Sequence, residues 1–96
     1  MAGYLVAEIE VKDAEAYKNY TSRVPDLIAR AGGRYLVRGG KTTGLEGAAV
    51  AGRIVILEFP SFAAAEAFYN AKEYQQILGY RTGASVGRVF LVDGLG

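Results

Sequence analysis

The sequence predicts an α+β domain whose elements follow the order strand, helix, strand, strand, helix, strand. Three observations predict this class. Apolar and polar residues alternate over 4–11, which is typical of a strand. An amphipathic helical pattern follows Asp13, and the same succession of patterns returns in the second half of the chain. A doubled strand–helix–strand unit of this length predicts the ferredoxin-like βαββαβ arrangement, with one antiparallel sheet and both helices on one face.

The elements of the first half are predicted by local signals. Asp13 is a suitable N-cap for the first helix, and Gly32-Gly33 is a suitable stop. Pro25 lacks a backbone N–H, so we expect a kink or a restart of this helix at 22–24. Residues 34–38 predict the second strand.

A long loop is predicted between the second and third strands, and the second half of the chain follows it. Residues 39–52 contain five glycines and predict a long, mobile loop. Residues 53–59 predict a strongly apolar strand, and Ser61 is a suitable N-cap for the second helix. The segment 70–73 has the form of a capping box, so a second helical piece is expected there. Residues 85–92 predict the last strand.

Composition excludes several classes of function. With 96 residues we expect one domain that covers 1–96, and 11 basic against 10 acidic residues give no field that would attract nucleic acid. The chain has no Cys and no His, so disulfides, thiolate nucleophiles, Cys-type zinc sites and histidine ligands are excluded. We expect no cofactor.

We expect neither a signal peptide nor a membrane helix in this sequence. The acid Glu8 follows the N-terminus before a long apolar stretch accumulates, and no window approaches the roughly 20 apolar residues of a membrane helix. We therefore expect a cytoplasmic protein with no membrane partner.

The residues of the four predicted strands separate into two faces. One set is almost wholly apolar and is expected under the helices: Leu5, Ala7, Ile9, Val11, Tyr35, Val37, Val55, Leu57, Phe59, Val89 and Leu91. The other set mixes large apolar and charged side chains: Tyr4, Val6, Leu36, Ile54, Ile56, Phe90, Val92, Glu8, Glu10, Arg34, Arg38, Glu58 and Arg88. A sheet face that is exposed to solvent ordinarily carries polar side chains, and no helix remains to cover this one. We expect a homodimer that packs sheet to sheet.

The charged residues of that second face have two interpretations. The expected register brings Arg34 opposite Glu58 and Arg88 beside Glu8 and Glu10, so that the charges neutralise one another. Alternatively, they are the polar lining of a small-molecule cavity. The arginines argue against a cation held by the carboxylates, so we predict no metal.

Five segments of the sequence resemble a known family. They are Gly32–Gly40, Leu45–Gly47, Ile56–Ser61, Glu73-Tyr74 and Leu91–Gly94. In this order they are similar to the domain of unknown function 1330 family over essentially the whole chain. That family resembles the dimeric α/β-barrel superfamily, in which two ferredoxin-like subunits close a barrel through their sheets.

The resemblance implies that the signature residues of the family have counterparts in this chain. These counterparts are Tyr17, Tyr20, Gly33, Arg38, Gly39, Gly40, Glu58, Phe59, Pro60, Ser61, Tyr69, Tyr74 and Gly94. Two departures occur, since Phe68 stands where members often have Trp, and Ala71-Lys72 where they have Ser-Pro. Superfamily relatives include cofactor-independent monooxygenases, lactone isomerases and haem enzymes, and the lack of His excludes histidine-ligated haem.

The combined prediction is a homodimer that binds a small organic molecule between sheet, helices and partner subunit. Arg38 would hold an anionic or carbonyl oxygen, and Glu58 is the best candidate for a catalytic base. Tyr20 and Tyr69 are candidates for lining a cleft between helix and sheet. Whether any reaction is catalysed stays open. The alternative is a non-catalytic homodimer whose inner face is only an interface.

Overall fold

The computed structural model describes residues 1–95, in which four strands and four helices form two layers. The elements are β1 (Gly3–Val11), α1 (Ala14–Thr21), α2 (Val24–Arg30), β2 (Arg34–Arg38), β3 (Arg53–Phe59), α3 (Phe62–Asn70), α4 (Lys72–Thr82) and β4 (Ser85–Asp93). The strands form one antiparallel sheet in the order β2-β3-β1-β4. The predicted ferredoxin-like α+β fold is confirmed. Gly96, the last residue of the predicted domain, lies outside the described residues.

Each predicted helix consists of two segments. The Asp13 carboxylate caps α1 by accepting from the Ala16 backbone N–H at 3.0 Å, and α2 restarts at Val24 with Pro25 in its first turn. This confirms the expected restart, because proline is tolerated where no intrahelical donor is required.

The predicted capping box at the start of α4 is wrong. Ser61 does cap α3 by accepting from the Ala64 N–H at 3.0 Å. However, α3 continues through Asn70, and the extended residue before α4 is Ala71, which has no side chain to cap with. Asn70 therefore remains inside the preceding helix and cannot reach the first amides of α4.

The core lies between the helices and one face of the sheet. Its buried members are Leu5, Ala7, Ile9, Tyr17, Val24, Ile28, Leu57, Phe59, Ala65, Phe68, Tyr74, Ile77 and Ala84. The alternation predicted for β1 and β3 is confirmed, since every second residue from Gly3 to Ile9 is buried, as are Leu57 and Phe59, while the residues between them are more exposed.

A β-bulge in β2 reverses the predicted parity at the end of that strand. Tyr35 pairs with Leu57 as expected, but Leu36 is an extra residue, so Val37 pairs with Ile56 and Arg38 with Val55. Ile56 lies on the helix-free face and Val55 packs against the core. The predictions that Val37 faces the helices and that Arg38 faces the opposite side are therefore wrong.

The helix-free face carries both ion pairs and exposed apolar side chains. Arg34 Nε lies 2.7 Å from Glu58 Oε1, and Arg88 Nε lies 3.2 Å from Glu8 Oε1, as the strand register predicted. Glu10 pairs instead with Lys12, two residues further along the chain. Phe90 and Val92 are each 43% exposed. Within this protein's described residues, nothing covers this face.

Residues 39–52 form an irregular loop between β2 and β3. The Gly39 N–H donates to the Ile54 carbonyl at 2.7 Å and closes the neck of the loop. Gly39 and Gly52 have φ of 70° and 78°, which L-residues rarely adopt. Leu45 is 89% exposed. The predicted long connection is confirmed, and its mobility stays a prediction.

No helix over residues 1–95 combines the length and the apolar character needed to cross a membrane.

Candidate functional site

Among the cavities of residues 1–95, two that open on the helical layer have enough depth to be considered as sites. The larger, of about 280 Å³, lies between α2 and the α3–α4 pair and has mainly apolar walls, with Arg30 and Glu73 among its lining residues. The smaller, of about 90 Å³, lies between α1–α2 and the β2–β3 edge of the sheet. We regard the smaller one as the candidate site because several polar groups converge there, and ligand sites need polar groups that fix orientation. Its lining residues are Tyr17, Tyr20, Thr21, Val24, Tyr35, Arg38, Arg53 and Val55.

Three local features build this cleft. The helical spacing of three residues brings Tyr17 and Tyr20 to the same side of α1, toward the sheet. The bulge at Leu36 turns Arg38 toward the helices. Arg53 pairs with Ile9, a fully buried core residue, and so lies on the helix-covered face as well.

The two arginines of the cleft are held in different ways. The Arg38 guanidinium lies 4.5 Å from the centre of the Tyr35 ring, within cation–π distance, and the residue is exposed. The Arg53 Nε is buried and has no hydrogen-bond partner among the described residues. A Cβ atom on Gly39 would lie 3.1 Å from Arg53 Nη2, so glycine leaves the space that this guanidinium occupies.

The cleft has a positive electrostatic character. None of its lining residues is an acid. Neither Arg38 nor Arg53 forms a salt bridge within residues 1–95. An unpaired guanidinium in a partly desolvated site attracts an anion more strongly than one in bulk water.

The tyrosines of the cleft stay neutral near physiological pH. Burial raises the pKa of Tyr17, and Arg53 and Arg81 partly oppose that shift. Burial likewise raises the pKa of Tyr35, against Arg38 and Arg53. Neutral phenols can donate a hydrogen bond to a ligand oxygen, and the Tyr17 hydroxyl is not engaged by any side chain or backbone group over residues 1–95.

A buried polar unit lies behind the cleft. The hydroxyls of Tyr20 and Tyr74 are 2.8 Å apart, and Tyr74 is only 2% exposed. The Arg81 guanidinium lies 5.6 Å from the Tyr20 ring centre, and Arg81 is 8% exposed. Burial strongly raises the pKa of Tyr20, and the bonded Tyr74 adds to this effect. The unit keeps the Tyr20 phenol protonated and connects α1 to α4.

The structure brings together two of the four predicted site residues. Arg38 and Tyr20 both line the cleft. Glu58 lies on the helix-free face, where Arg34 Nε and the Tyr4 hydroxyl donate to its carboxylate. Tyr69 packs its ring 5.3 Å from that of Tyr74 and does not line the cleft.

Sequence reasoning did not single out Arg53 or Arg81 as site residues. Arg81 follows Tyr74 and Ile77 at spacings of seven and four, so a helical projection places it on the inward face of α4. Arg53 precedes a strongly apolar strand, and its parity with Val55 and Leu57 indicates the helix-covered face. Both signals were present in the sequence.

The family of this chain follows from its sequence. The profile described as "Domain of unknown function (DUF1330)" matches residues 2–95. The chain belongs to the DUF1330 family. No curated protein matches the sequence. The description of the DUF1330 family assigns no activity to its members, so membership alone does not give this chain a function.

Solved structures similar to this DUF1330 protein share its fold. A protein of unknown function from Rhodopseudomonas palustris, RPA0582, is 21% identical, with a TM-score of 0.78 over 99% of this chain and 83% of that one. SnoaB, a cofactor-independent oxygenase from Streptomyces nogalater, is 11% identical, with a TM-score of 0.69 over 99% and 94%. An antibiotic biosynthesis monooxygenase is 11% identical, with a TM-score of 0.56 over the whole of both chains. At these identities the likeness establishes the ferredoxin-like α+β fold alone.

Proposed function

We propose that this protein is a homodimer that binds a small organic molecule in the cleft between α1–α2 and the β2–β3 edge. One observation carries the proposal. Arg38, Arg53 and three tyrosines converge on a cavity that contains no acid of its own. Buried polar groups are normally paired, and the unpartnered Arg53 Nε marks a place where pairing is incomplete.

The lining suits a molecule with one polar and one apolar part. Arg38 offers a planar fork of N–H donors for an anionic or carbonyl oxygen, and Tyr17 offers a neutral hydroxyl. Val24 and Val55 supply apolar wall. In this proposal Tyr20 acts as wall and as the link to the buried Tyr74.

A cofactor-independent reaction is the catalytic form of this proposal. SnoaB, a cofactor-independent oxygenase, has the same fold. In such a reaction the guanidinium groups of Arg38 and Arg53 would stabilise negative charge that develops on the substrate. Glu58 would act as a base only on a substrate held against the helix-free face, in a cavity closed by the partner subunit.

The test is a thermal-stability screen with small carboxylates and phenols, among them benzoate, pyruvate and phenol. A ligand at a hundred times its Kd adds about 2.7 kcal/mol to the free energy of unfolding and raises Tm measurably. We expect the stabilisation to fall in Arg38→Ala and to persist in Arg34→Ala, whose arginine lies on the other face. The proposal is wrong if no compound raises the Tm of the wild-type protein.

The second candidate is a homodimer without a ligand. The exposure of Leu36, Phe90 and Val92 favours it, because an apolar sheet face needs a cover whether or not the cleft is used. A stable dimer whose Tm is raised by none of the compounds in the screen would support this second candidate.

A further inference from the structure

We infer that the ligand of the cleft is a short organic carboxylate and that Arg53 is its anchor. The inference rests on the proposed function and adds to it the ligand class and a residue that determines specificity. Three observations support it: the distribution of charge around the cleft, the confinement of the Arg53 side chain and the composition of the cleft walls.

The charge distribution leaves the guanidinium groups around the cleft without a carboxylate partner, as it also leaves Arg23, Lys41 and Lys72 in other parts of residues 1–95. The salt bridges of residues 1–95 join Lys12 to Glu10, Lys18 to Glu15, Arg30 to Asp26, Arg34 to Glu58 and Arg88 to Glu8. Arg38, Arg53 and Arg81 take part in none of them. Tyr17 lies near both Arg53 and Arg81, and Tyr35 near both Arg38 and Arg53. Of the three guanidinium groups, Arg53 is therefore the one that lies near both Tyr17 and Tyr35.

Confinement distinguishes Arg53 from Arg38. Arg53 starts β3, its Nε is buried, and its guanidinium is enclosed on one side by Gly39. Arg38 ends β2, is exposed, and lies over the Tyr35 ring. A side chain held in place by its surroundings loses less entropy when a ligand binds. Arg53 is therefore the better anchor, and Arg38 contributes charge at the mouth.

The walls favour an organic acid over an inorganic anion. The rings of Tyr17, Tyr20 and Tyr35 and the side chains of Val24 and Val55 give the cavity apolar surface that phosphate or sulfate cannot use. A carboxylate matches the planar guanidinium, and the Tyr17 hydroxyl can donate to its second oxygen. A volume of about 90 Å³ restricts the apolar part to a short chain or a small branched group.

The experiment compares isobutyrate with isobutyramide, which has the same shape but no charge, by calorimetry or ligand-observed NMR. Inorganic phosphate and sulfate are measured at the same ionic strength. We expect isobutyrate to bind at least about tenfold more tightly than the amide, as for hydrogen bonds to a charged group, and phosphate and sulfate to bind more weakly than isobutyrate.

Variants of Arg53 test the anchor. Arg53→Met is expected to weaken isobutyrate binding at least about tenfold, and Arg53→Lys to restore part of the loss through its charge. Arg38→Met is expected to weaken binding less. Arg34→Met, on the helix-free face, is the control and should bind as the wild type does.

A glycine pair tests whether the position of Arg53 matters while its charge is kept. Gly39 and Gly47 have similar positive φ values of 70° and 79°, so alanine strains the backbone at both. Only at Gly39 does the added Cβ approach the Arg53 guanidinium, since nothing lies within 4 Å at Gly47. Gly39→Ala should therefore weaken isobutyrate binding, and Gly47→Ala should not.

The possible results separate this inference from the proposed function. If isobutyramide binds as tightly as isobutyrate, or if Arg53→Met leaves binding unchanged, the inference is wrong while the ligand-binding proposal stands. Equal affinities for phosphate and isobutyrate would also overturn the inference, because the apolar walls would then add nothing to the affinity. If no probe binds and no compound of the thermal screen raises Tm, both the inference and the ligand-binding proposal are wrong.

Discussion

At the scale of single residues, the hydroxyl pair of Tyr20 and Tyr74 joins the two halves of the helical layer. Tyr74 is almost fully buried, and the oxygen of Tyr20 is its hydrogen-bond partner at 2.8 Å. Either hydroxyl can donate in this bond, and a buried hydroxyl needs a partner. The half-buried Tyr20 has access to other partners.

This asymmetry predicts unequal effects of two matched substitutions. Tyr20→Phe strands the buried Tyr74 hydroxyl and should lower the free energy of unfolding by about 1–3 kcal/mol. Tyr74→Phe removes the buried hydroxyl itself and should cost only about 1 kcal/mol. Urea unfolding of both variants and of the double variant measures the difference. A larger loss for Tyr74→Phe than for Tyr20→Phe would contradict the argument from the unequal burial of the two hydroxyls.

At the scale of elements, the bulge in β2 decides which face Arg38 occupies. Strict alternation from Tyr35 would direct Arg38 away from the helices, and one extra residue at Leu36 reverses this. The strand lies at the edge of the sheet, where an irregular residue disturbs one neighbour only.

Deletion of Leu36, the extra residue, should give β2 regular pairing in which Val37 still faces Ile56 and Arg38 still faces Val55. We expect the variant to fold, to keep Arg38 on the helix-covered face and to keep the stabilisation that small carboxylates give the wild type. Deletion of Gly44, in the exposed loop with nothing near it, is the matched control for the loss of one residue. If the Leu36 deletion loses the stabilisation while the Gly44 deletion keeps it, the bulge itself, and not only the face that Arg38 occupies, is needed for binding.

At the scale of the whole molecule, two helical pairs on one side of a four-stranded sheet leave the other side uncovered. That side carries apolar residues between two ion pairs, Arg34 with Glu58 and Arg88 with Glu8. These pairs reduce the cost of desolvating charge in a contact between copies. A stable dimer through this face should bury at least ~1,200 Å² in total.

Ile56→Lys tests this contact. Ile56 pairs with Val6 near the middle of the helix-free face, so a lysine there would carry an unpaired charge into the contact. We expect light scattering to report a dimer for the wild type at micromolar concentration and an unstable monomer for the variant. Ala63→Lys, on an exposed position of α3, is the control and should remain dimeric. A monomeric wild type would end the dimer proposal.

Much of the fold could be predicted because it depends on short-range periodicity. The period of two in β1 and β3, the cap at Asp13 and the restart at Pro25 each act within a few residues. The order of elements then restricts the sheet to very few topologies, since crossovers are right-handed. Of the site, the same reasoning found Arg38 and Tyr20 as residues of interest.

The sequence by itself therefore determined the elements, the buried face of the sheet and two of the residues that line the cleft. Only the tertiary structure decided where those two residues meet. No glycine or other local signal marks Leu36 as a bulge, because that irregularity arises from the pairing of β2 with β3. The meeting of Arg53 with Gly39 and of Arg81 with Tyr20 likewise depends on how distant segments pack. Such contacts join residues far apart in the chain, and no pattern within one segment specifies them.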